Sequence, residues 1–251
     1  MAQLIADTVR SNPRAVLGLA TGRTPETVYK LLCQKHQSEQ LDFSGITTFN
    51  LDEYIGIPAS HSQSYRSTME ASLFSHINIQ SSNTHLPNGM AANLEEECMR
   101  YEDAIKRAGG IDLQLLGIGL NGHLAFNEPL SSLSSRTRTK SLTPETRAQN
   151  ASFFGGADKV PSRALTMGVG TILDSRWCLM LATGTSKATI LQQAVEGPVC
   201  SVVTASALQM HRRCTVVVDE PAASKLQFTE YYRWVFLNEP EWERYRTLVA
   251  A

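Results

Sequence analysis

The chain has 251 residues, 42% of them apolar and 19% charged, with 23 lysines and arginines against 24 aspartates and glutamates and a net charge of −1. That length suits a single α/β domain spanning residues 1–251, and the balanced charge offers nothing to nucleic acid or anionic lipid. No stretch approaches the ~20 apolar residues of a membrane span, the amino-terminal segment lacks a signal peptide's apolar core, and the five cysteines are scattered without a C-x-x-C pair, so the expectation is a cytoplasmic protein with reduced thiols and no metal.

A first helix is predicted over Met1–Arg10 and a first strand over Ala15–Leu19. The strand runs into Ala20-Thr21-Gly22-Arg23-Thr24-Pro25, where Thr24 suits a helix cap and Pro25 the first turn of a helix over Thr24–Gln37. Free amides at such a helix start suit a phosphate, although an ordinary strand-to-helix turn is the plainer reading of this loop by itself.

A second strand, Ile46–Leu51, leads directly to Asp52 and Glu53. A carboxylate fixed at a strand end and shielded from water can take a proton from carbon beside a carbonyl or iminium, and Asp52 is the candidate; a surface acid or helix cap is the alternative. Helices follow over Tyr65–Ser75 and Asn93–Ala108.

The third strand, Leu113–Gly117, opens onto Ile118-Gly119-Leu120-Asn121-Gly122-His123-Leu124-Ala125-Phe126-Asn127-Glu128-Pro129. Its glycines allow sharp turns and close approach to a ligand. His123 has the one side chain here that ordinarily titrates near neutrality, and Glu128 lies near enough in a folded loop to orient the imidazole.

Beyond it come a helix over Thr143–Phe153 and strands over Ala164–Met167 and Trp177–Ala182. Thr183-Gly184-Thr185-Ser186-Lys187 then opens a helix over Ser186–Val195, with Lys187 in its first turn opposing the helix dipole unless an anion lies close, so a phosphate is its expected partner. A strand over Ser201–Thr204, a short helix over Ser206–Met210 and a strand over Cys214–Asp219 complete the pattern. Strands alternating with helices predict an α/β three-layer sandwich around an open, mainly parallel sheet, with ligands gathering beyond the strands' carboxyl ends.

Four separated segments, Leu17–Pro25, Thr48–Tyr54, Gly117–Pro129 and Ala164–Thr171, occur in the order and at the intervals of a known family, and on them the chain resembles the glucosamine-6-phosphate deaminases from Ala15 to Pro221. The resemblance implies a Rossmann-like fold of the deaminase and phosphogluconolactonase type, with a mobile lid over residues 143–160. It also implies conversion of glucosamine 6-phosphate and water to fructose 6-phosphate and ammonia without a cofactor. In that scheme Asp52 carries a proton from C2 to C1, and His123 opens the sugar ring with Glu128 in support. Thr21, Gly22, Arg23, Thr24 and Lys187 hold the phosphate, while Ala20, Tyr65 and Gly119 line the pocket; for Tyr65 a core aromatic is an equal reading. A galactosamine-6-phosphate deaminase, a 6-phosphogluconolactonase and a non-catalytic sugar-phosphate sensor are the alternatives.

This sequence departs from the pattern it resembles. Asn121 stands where some members carry a third catalytic aspartate, and an asparagine can orient the ring but cannot share a proton. Ser152 replaces an arginine that reaches the phosphate from the lid, while Arg23 stands where a small residue is usual and is expected to substitute for it. The chain also begins without the first strand that regulated members use at an effector site. Ser131, Arg138 and Lys140 match other positions of that site, but Ser131–Lys140 reads equally as a solvated mixed-charge loop; a homo-oligomer and activation by N-acetylglucosamine 6-phosphate stay open.

Overall fold

The computed structural model describes residues 1–249. Its strands are β1 (Val16–Leu19), β2 (Thr47–Asn50), β3 (Asp52–Tyr54), β4 (Thr84–His85), β5 (Leu113–Leu116), β6 (Arg138–Ser141), β7 (Arg163–Thr166), β8 (Cys178–Ala182) and β9 (Cys214–Val218). Its helices are α1 (Ala2–Ser11), α2 (Arg23–Glu39), α3 (Tyr65–Ser72), α4 (Leu94–Arg107), α5 (Pro144–Phe154), α6 (Val169–Leu173), α7 (Ala188–Glu196), α8 (Glu220–Ala223), α9 (Thr229–Asn238) and α10 (Glu243–Val249).

Strands buried on both faces read as continuous apolar runs, and β1 and β5 are buried at every position. With the other long runs they form one sheet in the order β4-β2-β1-β5-β8-β9, every pair parallel. Successive side chains leave opposite faces. Leu17, Leu19, Leu113 and Leu115 meet Ile5, Val28, Leu32 and Met69 of α1, α2 and α3, whereas Val16, Leu116 and Met180 meet Tyr101, Ile105 and Leu191 of α4 and α7. The expected α/β three-layer architecture is therefore present.

A second, small sheet in the order β3-β7-β6 is antiparallel, and of its strands only β7 has a counterpart among those predicted from sequence. The predicted strand Ile46–Leu51 stops short at Asn50 because Leu51 turns between sheets: its amide donates to Leu19 O at 3.0 Å and its carbonyl accepts from Met167 N at 2.7 Å. Asp52 then begins a new strand opposite Thr166, so the predicted strand Ala164–Met167 belongs to the small sheet rather than the parallel one.

Three other expectations need correction. Ser201–Thr204 is not a strand and Ser206–Met210 is not an α-helix; a 3-10 turn covers Thr204–Met210. Hydroxyls take the place of a ladder there, since Ser206 Oγ accepts from Cys200 N at 2.9 Å and donates to Cys200 O at 3.1 Å. Thr24 does not cap α2: Gly22, at φ 117°, holds the capping position, and Thr24 lies inside the first turn with Pro25. Finally, α8, α9 and α10 follow β9 where no helix was predicted; in α9 the apolar residues Trp234–Leu237 run consecutively instead of at a helical period.

Candidate active site

Because β1, β2, β5 and β8 are parallel neighbours, the segments that follow them emerge at one edge of the sheet. After β1, Tyr29 of α2 donates from its hydroxyl to Ala20 O at 2.5 Å and fixes the start of the loop. Gly22 then swings the chain into α2, whose end no side chain caps, leaving the first amides of the helix free for an anion. Arg23 is exposed in that first turn, with its guanidinium 5.3 Å from the Phe153 ring of α5 and no acidic partner among the described residues. Ser152, beside Phe153, is exposed.

After β8, a 3-10 turn over Thr185–Lys187 places Lys187 just before α7, not inside it as expected. Its ammonium donates to Ile118 O at 2.6 Å, tying the end of β8 to the end of β5, and burial lowers its pKa. A lysine held this way keeps two further donors for a ligand.

Asp52 is 6% exposed, and its carboxylate accepts no hydrogen bond from the described residues. Burial, followed by the charge of Glu53, pushes its pKa well above the carboxylate range. Glu53, by contrast, is spent on backbone amides: its oxygens accept from those of Tyr54 and Tyr65 at 2.9 Å and of Arg66 at 3.0 Å. It thereby caps α3 beside Ser64, whose hydroxyl accepts from Ser67 N, and fixes Tyr65. Tyr65 stands beside Thr21, Tyr54 and Asp52, and its ring stacks on Phe126 with centroids 6.0 Å apart. It is thus a packed aromatic and a neighbour of both strand-end segments.

The turn after β5 closes through Gly119 N to His123 O at 2.9 Å and Gly122 N to Gly119 O at 3.1 Å, with Gly122 at φ 84°. His123 lies on the α-carbon of Gly119: a methyl group there would sit 2.4 Å from Nε2. On the other side, His123 Nδ1 is 3.4 Å from Glu128 Oε2, an ion-pair separation without hydrogen-bond geometry. Asn121 bridges the pair, accepting from His123 N at 3.3 Å and donating from Nδ2 to Glu128 Oε2 at 3.0 Å. The other oxygen of Glu128 accepts from Thr143 N at 3.1 Å and Thr143 Oγ1 at 3.3 Å. Burial works to raise the Glu128 pKa, but the His123 ring beside it, Thr146 and the Thr143 amide prevail and bring it down to about 2.

The small sheet joins these two halves. Thr166, opposite Asp52 in β7, accepts from Phe126 N at 3.1 Å through its hydroxyl. Asn127, fully buried, donates to Leu124 O at 3.0 Å and Met167 O at 2.8 Å, and accepts from Arg138 Nη1 at 2.9 Å. Ser131 is buried and donates to Glu128 O at 2.7 Å, while Lys140 is half-buried in β6, so Arg138–Lys140 is strand rather than solvated loop. Sequence reading missed Glu53, Asn127, Thr143 and Thr166; the first two and the last bond the backbone of a distant segment and Thr143 bonds the distant Glu128 carboxylate, which leaves no local signature.

A hollow of about 930 Å³ lies at the opposite end of the sheet, where β8 and β9 begin, lined by Leu4, Trp177, Arg213 and Trp242 and by none of these residues. The strand-end segments instead carry a shielded carboxylate in Asp52, an imidazole beside an acid in His123 and Glu128, the cations Arg23 and Lys187, and the free amides that open α2.

Comparison with known proteins gives a consistent picture. The family model for glucosamine-6-phosphate isomerases/6-phosphogluconolactonase matches residues 1–217. A glucosamine-6-phosphate deaminase of Hahella chejuensis (strain KCTC 2396) is 54% identical over 227 residues, covering 90% of this chain and 87% of its own. One from Arthrobacter sp. (strain FB24) is 50% identical over 242 residues, covering 96% and 93%. A solved monomeric glucosamine-6-phosphate deaminase, 47% identical, superposes with a TM-score of 0.88 over 89% of this chain and 93% of that one.

Proposed function

Since this chain belongs to the family of glucosamine-6-phosphate isomerases and 6-phosphogluconolactonases, we propose that it is an enzyme converting glucosamine 6-phosphate and water to fructose 6-phosphate and ammonia. The observation that carries the chemistry is Asp52: a buried carboxylate with a raised pKa and no protein donor, at a strand end beside the anion-binding loop. A base is most effective when its pKa approaches the working pH, and desolvation has moved Asp52 in that direction.

His123 delivers a proton to the ring oxygen as the pyranose opens, and the neighbouring Glu128 carboxylate stabilises the imidazolium that supplies it. Asp52 then takes the proton from C2 of the open aldehyde while O1 regains the proton it gave up on ring opening, giving an enolamine, and Asp52 returns the C2 proton to C1. The resulting C2 imine takes up water and loses ammonia, leaving the ketose phosphate. Asn121 aligns His123 and Glu128 by hydrogen bonds at both ends and takes no proton itself.

The phosphate rests on the free amides at the start of α2 and on Lys187, with Thr21, Gly22 and Thr24 shaping the loop. Arg23 supplies the bidentate donor that Ser152 cannot, and Phe153 holds its guanidinium near the loop. The helix α5 and the segment to Val160 act as the lid. Ser131 and Arg138 already bond to Glu128 and Asn127, so the reading is of catalysis without an effector at those residues and Lys140. The setting is the cytoplasm; among the described residues no helix is long and apolar enough to cross a membrane.

The test supplies purified protein with glucosamine 6-phosphate, galactosamine 6-phosphate and 6-phosphogluconolactone in turn. Ammonia and ketose phosphate in equal amounts from the first substrate are expected. Their absence, with acid released from the lactone, would replace this reading by a lactonase; preference for the second sugar would change the epimer.

A further inference from the structure

The loop that carries His123 is held from outside by a segment with no assigned role. Residues 203–206 lie against it, and Thr204, fully buried, makes two bonds to it: its Oγ1 accepts from Leu124 N at 3.2 Å and donates to Asn127 O at 3.0 Å. One residue on, Ala205 N donates to Gly122 O at 2.9 Å. His123 therefore sits between two pinned neighbours, Gly122 and Leu124. The fit leaves no slack, since a methyl group on Gly122 would lie 2.7 Å from Val203 Cγ1 and 2.9 Å from Ile190 Cδ1.

A hydroxyl is the one uncharged side-chain group that can accept from one backbone segment and donate to another through a single atom. Valine has the same shape and can do neither. In a site whose acid–base geometry tolerates displacements well below an ångström, losing such a pin is felt in the chemical step more than in binding. Thr204 hydrogen-bonds to none of the residues placed at the phosphate, which separates its effect from substrate affinity.

We propose that Thr204 is a positioning residue for the acid–base step: its hydroxyl sets the His123 backbone from the far side of the loop and so places the imidazole between Gly119 and Glu128. The inference rests on the reading of His123 as the ring-opening acid. Thr204 itself meets neither substrate nor reacting atoms.

The test compares the parent with Thr204→Val and Thr204→Ser on glucosamine 6-phosphate, with ¹⁵N NMR of the His123 ring and amide exchange at Leu124 in the same proteins. Thr204→Val should lower kcat at least tenfold with KM within twofold, shift the His123 ring resonances and speed Leu124 exchange at least tenfold; Thr204→Ser should keep all four near the parent. If Thr204→Val does not fold, Thr204→Ala is judged by the same readouts. A kcat within twofold of the parent in the hydroxyl-free variant, or equal losses in the valine and serine variants, overturns the proposal. His123→Gln serves as the control for the reading beneath it: should that variant turn over like the parent, the role of His123 is wrong, and the ring shifts alone decide whether Thr204 positions it.

Discussion

Replacing Glu128 by glutamine removes a charge while keeping the shape, and leaves one acceptor oxygen where Asn121 and Thr143 each use their own. The fall of the Glu128 pKa from an ordinary 4.5 to about 2, at about 1.4 kcal/mol per tenfold, corresponds to about 3 kcal/mol of folding stability contributed by the ionised carboxylate at pH 7. The side chain is 3% exposed, so solvent screening takes little of this away. Because the folded value lies below the unfolded one, the contribution is whole above pH 4.5 and drains away as pH falls towards 2; linkage leaves about 2 kcal/mol of it at pH 3.5. Urea unfolding of the parent and Glu128→Gln at pH 7 and pH 3.5 should therefore show the stability gap between them narrowing by about 1 kcal/mol. A gap equal at both pH values would mean that Glu128 is not held as an anion, and the charge-supported imidazole would lose its physical basis.

Asp52→Asn should lower kcat by about 10²–10⁴ with KM little changed. In the parent, kcat/KM against pH should show an acid limb above the ordinary carboxylate range, because Asp52 must lose its proton to act and burial delays that loss; Glu53→Gln, by removing the second cause, should move the limb down. Gly119→Ala should push the His123 ring off its seat and cost about tenfold to a hundredfold in kcat, measurable alongside an unchanged melting temperature. Arg23→Ala should raise KM sharply with Ser152→Arg restoring it, and an unchanged KM would dismiss the substitution of one arginine for another. Glu102→Ala should destabilise by about 3 kcal/mol in urea, since Glu102 accepts from Thr137 N, Thr137 Oγ1, Thr171 Oγ1 and Arg136 Nη2 and its loss strands buried donors.

What the sequence made legible follows from the range of the forces involved. The parallel sheet and its helices were readable because burial on two faces writes continuous apolar runs, and because Gly and Pro punctuate the strand ends. The candidate residues were readable for the same reason: Asp52, His123 and Lys187 each follow an apolar run directly, so one topological rule puts them at one edge. The position of Thr24 was misjudged because a helix cap depends on backbone angles, and Gly22 adopts an angle that threonine resists.

The small antiparallel sheet was not readable, and the reason lies in its residues. The strand β6 is Arg-Thr-Lys-Ser, half-buried or exposed throughout, and β3 is Asp-Glu-Tyr; neither shows the branched or alternating apolar pattern of a strand. Both become strands only because β7, with three of its four residues buried, lies between them and supplies ladder partners to each. That dependence has a consequence for the site. Asp52 has no helix or long strand of its own to hold it; it faces Thr166 across the ladder, the residue before it is tied to β7 through Leu51 O and Met167 N, and the hydroxyl of Thr166 also accepts from Phe126 N in the His123 loop. The segments carrying carboxylate and imidazole are therefore both attached to one strand, β7, a link that the large sheet, holding β2 and β5 apart on either side of β1, does not supply by itself.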